Sequence, residues 1–161
     1  MAVLVPFDAS KLATTALERA VTFGSVLDEE IIVLTVIPDD PDYARERGWI
    51  TEGEPFDEDA IESGLTERAQ TVAPAATIRT VRVSADEPTA TATTEVVREI
   101  RRVAAEVDPT VLFIGSENAG SVIAPQSSVG NSVANDQRYD VYVVRGERDE
   151  ATSDLESTAE F

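Results

Sequence analysis

Asp8 and three glycines, Gly115, Gly120 and Gly130, are the residues of this sequence whose types and positions could do chemistry. Asp8 follows the apolar run Val3-Leu4-Val5-Pro6-Phe7. There it could accept a hydrogen bond from a ribose or a base, or simply cap a helix, a role that Ser10 could equally fill. Gly130 leads into Asn131 and Ser132 at the start of a weak helical stretch. Backbone N–H groups without a Cβ in the way, next to a positive helix end, make a berth for phosphate. Spaced glycines also occur in ordinary turns, so spacing alone leaves both readings open.

What is missing narrows the chemistry further. The chain has no cysteine and no histidine. A disulfide framework, a thiolate metal site, a Ser-His-Asp or Cys-His arrangement and an imidazole base are therefore all excluded, and a metal could be held only through oxygen. With 31 acidic and 13 basic residues the formal net charge is −18, which repels a phosphate backbone and argues against nucleic acid as a partner. Acidity with a single lysine, Lys11, suggests a halophilic protein adapted to strong screening. No apolar run approaches the ~20 residues that span a bilayer, and no signal-like segment precedes Val3, so a cytoplasmic protein without membrane contact is expected.

The elements that must position these residues alternate along the chain. Ala2 to Phe7 holds a short buried strand ended by Pro6, and Leu12 to Phe23 repeats apolar residues at helical spacing as far as Gly24, a plausible stop. Ile31 to Ile37 is a second strand closed by Pro38, which completes a βαβ unit. Residues 39–56 read as a long surface loop docked through Tyr43, Trp49, Ile50 and Phe56. A helix over about 57–72, a strand over Thr77–Val83, a helix from about Glu87 to Val107, a strand ending at Gly115 and a last strand over Val141–Val144 follow. Arg98, Arg101 and Arg102 form a solvated helix face. The whole is one domain over residues 1–146, with an acidic tail over 147–161 expected to be disordered.

In an open parallel sheet ligands bind at the carboxyl ends of the strands, which selects Pro6, Phe7, Asp8, Val36, Ile114 and Gly115. Val-Leu-Val-Pro-Phe-Asp-Ala-Ser at the start, Val-Leu-Thr-Val-Ile-Pro in the second strand, Leu-Phe-Ile-Gly-Ser in the fourth and Asp-Val-Tyr-Val-Val-Arg at the end together resemble the universal stress protein family over residues 2–145. The resemblance implies an α/β fold with five parallel strands in the order 3-2-1-4-5, helices on both faces, and a homodimer. In the ATP-binding branch, the positions of Asp8 and Val36 line the adenosine pocket, and a Gly-x2-Gly-x9-Gly-Ser/Thr motif holds the phosphates.

Gly115, Gly120 and Gly130 match that motif with differences. Four residues, not two, separate Gly115 from Gly120, whereas nine separate Gly120 from Gly130 as in the family. Asn131 stands where Ser or Thr is expected, with Ser132 next, and Pro125 interrupts any regular helix between the glycines. Glu117 lies in the segment, and no Lys or Arg occurs between Gly115 and Asp136. A triphosphate there would lean on backbone amides and Mg²⁺. The resemblance thus implies a regulator that binds ATP or a related adenine nucleotide, with at most slow hydrolysis and no catalytic residue. The rival reading is a nucleotide-free dimeric interaction protein, paired in either case along the edge of strand 141–144. An adenylating or pyrophosphatase enzyme is disfavoured, because residues 5–12 contain no Ser-Gly-Gly-x-Asp-Ser phosphate loop.

Overall fold

The computed structural model describes residues 1–84, 91–117, 122 and 139–145. Strands β1 (Ala2–Pro6), β2 (Glu30–Pro38), β3 (Thr77–Val83), β4 (Val111–Gly115) and β5 (Asp140–Val144) form one sheet in the order β3-β2-β1-β4-β5. Every neighbouring pair is parallel, in registers such as Val5 opposite Val33 and Leu4 opposite Leu112. The expected strand order is therefore present. Strands buried on both faces need apolar residues at every position, which is why Val3, Leu4 and Val5 are all fully buried.

Side chains alternate between faces along each strand and so split the core in two. Val3, Val5, Val33 and Phe113 pack on one side against α1 (Lys11–Leu27) and the end of α3 (Glu58–Val72). Leu4, Leu34, Leu112 and Ile114 pack on the other against α4 (Ala92–Val107) and Tyr43 of α2 (Pro41–Glu46). A smaller cluster of Ile37, Ala44, Ile50, Ile61 and Leu65 ties the segment after β2 to α3.

Three expectations are corrected. Residues 39–56 are not all loop: Asp40 accepts from the N–H groups of Asp42 and Tyr43, and Pro41 supplies a preset φ, so a short helix forms. Tyr43 and Ile50 dock the segment as expected. Gly24 does not stop α1, which runs one turn further and ends at Asp28 in the left-handed region, φ 54°. Gly24 is needed for closeness instead, since a Cβ there would lie 2.6 Å from Ile31 Cδ1 and 2.9 Å from the Glu29 carbonyl. Lastly, α4 is described from Ala92, capped by Thr91, rather than from Glu87. Residues 85–90, the helix expected over 131–136 and the tail over 147–161 lie outside the described residues. No helix among the described residues is long and apolar enough to cross a membrane.

Candidate functional site

Parallel strands bring their carboxyl ends to one edge, and β1, β2 and β4 open there on a single cavity. Pro6, Phe7 and Asp8, Val36, and Ile114 and Gly115, from three separate segments of the sequence, all line it. Gly120, Gly130, Asn131 and Ser132 lie outside the described residues. The cavity wall also includes Ser10, Tyr43, Val96, Ile100 and Glu117.

The chain leaves β1 in a constrained way. Phe7 N–H still donates to the Leu34 carbonyl at 2.8 Å, holding the strand pairing one residue past Pro6. Asp8 Oδ1 then accepts from Ser10 N–H at 2.9 Å, and Ala9 between them adopts φ 62°. A left-handed alanine costs about 1–2 kcal/mol, so the surrounding contacts must hold it. Ser10 is the residue that caps α1, its hydroxyl accepting from Ala13 N–H at 3.2 Å. Capping is thereby assigned to Ser10, and one oxygen of Asp8 is left for other partners.

That second oxygen, Oδ2, accepts from Arg47 Nη1 at 3.1 Å. The same Nη1 lies 3.9 Å from Glu117 Oε2, too long for a hydrogen bond but within ion-pair range. Arg47 follows α2 as its C-cap, and its guanidinium sits 4.7 Å above the Tyr43 ring centroid, in cation–π contact. Trp49 packs behind Tyr43: its indole Nε1–H donates to the Asp8 carbonyl at 2.8 Å, and its ring meets Tyr43 edge to face at 5.5 Å. Burial pushes the Tyr43 phenol above its ordinary pKa; Arg47 works against this shift and Asp8 adds to it.

Sequence reasoning found the carboxylate of this site but missed its cation. Arg47 lies far from the glycine segment in sequence, and only the docking of α2 carries it to the ends of β1 and β4. The signals that could have located it were the Asp40-Pro41 start of a helix and the apolar anchors Tyr43 and Trp49. Gly115 keeps the end of β4 close to α1, where a Cβ would meet Leu12 Cβ at 3.0 Å.

The model of the universal stress protein family matches residues 1–145. Solved structures share the fold. A protein of that family from Burkholderia pseudomallei is 16% identical, with TM-score 0.53, over 89% of this chain and 94% of that one. The universal stress protein UspA from Lactobacillus plantarum is 19% identical, with TM-score 0.52, over 90% of this chain and 97% of that one. A universal stress protein from Archaeoglobus fulgidus is 23% identical, with TM-score 0.50, over 92% of this chain and 45% of that one. A comparison with curated proteins finds no match. With the match of the family model across nearly the whole chain and the sheet order β3-β2-β1-β4-β5, this chain belongs to the universal stress protein family.

Proposed function

We propose that this protein is a stress-responsive regulator that binds ATP or a related adenine nucleotide, with Mg²⁺, at the carboxyl ends of β1, β2 and β4. The observation that carries the reading is the meeting of Asp8, Val36 and Gly115 around one cavity. Asp8 is the acceptor for ribose or base, Val36 an apolar wall for the adenine, and Gly115 the start of the phosphate segment. Gly130, Asn131 and Ser132 continue that segment. The role is binding and not turnover: a chain without histidine offers no imidazole base, and regulation needs only a ligand that favours one of two states. The protein acts as a cytoplasmic homodimer paired along the outer edge of β5, the last strand of the sheet, and its acidic surface suits a salt-rich interior.

Glu117 favours a second reading, a nucleotide-free interaction protein of the same fold, because it places negative charge on the cavity wall. One measurement separates the two: the thermal midpoint in molar KCl with and without ATP and Mg²⁺. A ligand at ~100 times its Kd adds ~2.7 kcal/mol, a rise of about 5–10 °C for a domain of this size. The nucleotide reading expects this rise and its loss in Gly130→Val. A folded protein whose midpoint ignores ATP at every concentration is the nucleotide-free one.

A further inference from the structure

We infer that Arg47, held against the cavity-lining Asp8, Tyr43 and Glu117, is the phosphate-recognising residue, so that the cation missing from the glycine segment is supplied by the segment after β2. The inference rests on the nucleotide reading above and assigns a residue that neither the glycine motif nor the strand-end rule selects.

Three observations carry it. First, Arg47 bridges the two places a nucleotide must touch, with Nη1 at 3.1 Å from Asp8 after β1 and 3.9 Å from Glu117 after β4. Second, its two carboxylate partners are held very differently. The Asp8 side chain is 18% exposed and hydrogen-bonded to Arg47, whereas that of Glu117 is 62% exposed and too distant for a hydrogen bond. Glu117 is therefore the exchangeable anion, and turning it out into water costs little. Third, the guanidinium is oriented in advance by Tyr43 beneath it, and its hydrogen bond to Asp8 is made through Nη1 alone, while a guanidinium carries five N–H donors in a planar fork. A planar fork next to a displaceable carboxylate fits a phosphate, which it can grip through two parallel N–H···O bonds.

The arrangement assigns the ligand's sugar to Asp8 and its first phosphate to the position Glu117 now occupies. Arg47 then remains on Asp8 and exchanges only its second partner. In this way the cavity distinguishes a nucleotide from a nucleoside.

Calorimetric titration of the full chain with adenosine and with AMP, at one fixed KCl concentration, tests the inference. Arg47→Gln is expected to weaken AMP by roughly 10–100-fold, the value of a charged hydrogen bond, and to leave adenosine within about twofold. Arg47→Lys, which keeps the charge but loses the fork, falls between. Equal losses for both ligands would make Arg47 a brace for Asp8 alone and would overturn the assignment. Glu117→Gln provides an independent arm at an exposed position where folding is not at stake. Removing the competing anion is expected to tighten AMP by roughly two- to fivefold without moving adenosine, and an unchanged or weaker AMP affinity counts against the inference. Wild-type protein that binds adenosine and AMP equally refutes the role of Arg47 only. Wild-type protein that binds neither overturns this inference, and the ATP thermal shift then decides the nucleotide reading by itself.

Discussion

Arg47 and Arg82 are the same residue type set among carboxylates, in surroundings that make them different objects. Arg82, on the outermost strand β3, reaches Asp59 at 2.6 Å and Glu58 and Glu62 at 3.3 Å each. Its side chain is 41% exposed and that of Asp59 87% exposed, so water and salt compete for every bond. Arg47 has fewer partners and one longer contact, yet its side chain is only 20% exposed, lies over a buried tyrosine and is hydrogen-bonded to an aspartate as sheltered as itself. Counting ion pairs would rank Arg82 first. Shielding and orientation rank Arg47 first, and those are the properties that let one guanidinium select a ligand.

The largest expected effect tests that ranking directly. Asp8→Ala leaves Arg47 without its hydrogen-bonded carboxylate and removes the acceptor for Ser10 N–H, a loss of about 2 kcal/mol in the unfolding free energy from urea titration followed by circular dichroism. Asp59→Ala, which removes the shortest contact of Arg82, is expected to stay within about 0.5 kcal/mol. Equal losses would dissolve the distinction between the two arginines.

Salt gives a smaller effect with more resolving power. Double-mutant cycles for Arg47–Asp8 and Arg82–Asp59, each run at low salt and in 2 M KCl, compare coupling under screening. A Debye length of about 3 Å at 1 M should erase the coupling of the exposed pair and leave most of the sheltered one. Couplings that decay in parallel would mean that the Arg47 pair is as solvated as the other.

The smallest effects lie at the extremes of pH. Burial raises the Tyr43 pKa above its usual 10.0, so the unfolded chain loses that proton first. The stabilising contribution is complete below pH 10 and is lost as pH rises through the higher folded value. Tyr43→Phe should flatten the alkaline limb of the urea midpoint. On the surface, Arg79 lowers the pKa of Glu106 from 4.5, with Arg102 assisting. That contribution is present above pH 4.5 and is lost as pH falls through the lowered value, so Arg79→Gln should flatten the acid limb slightly.

Much of the fold was legible because its signals are local. Ile31 to Ile37 could only be a buried strand, and Asp57 before an apolar stripe marks the helix that starts at Glu58. Gly24 misled for a physical reason: a glycine late in a helix reads as a stop, whereas here it clears space for Ile31, and Asp28 takes the left-handed position. At Asp8 the residues permitted both a cap and a ligand role, and the structure separates them by giving the cap to Ser10. Arg47 was illegible at the site because its place there depends on how α2 packs, and no spacing along the chain encodes that. Ala9 shows the same limit, since an alanine gives no hint that its backbone will be left-handed.

Trp49, the single tryptophan of the chain, donates its indole N–H to Asp8 and lies edge-on to the ring beneath Arg47. The protein thus carries one indole hydrogen-bonded to a residue of its cavity wall. Its emission reports the electrostatic state of Asp8 and Arg47 without background from a second indole. A ligand that displaces Asp8 or Arg47 is expected to shift the colour and lifetime of this one residue, with no label attached.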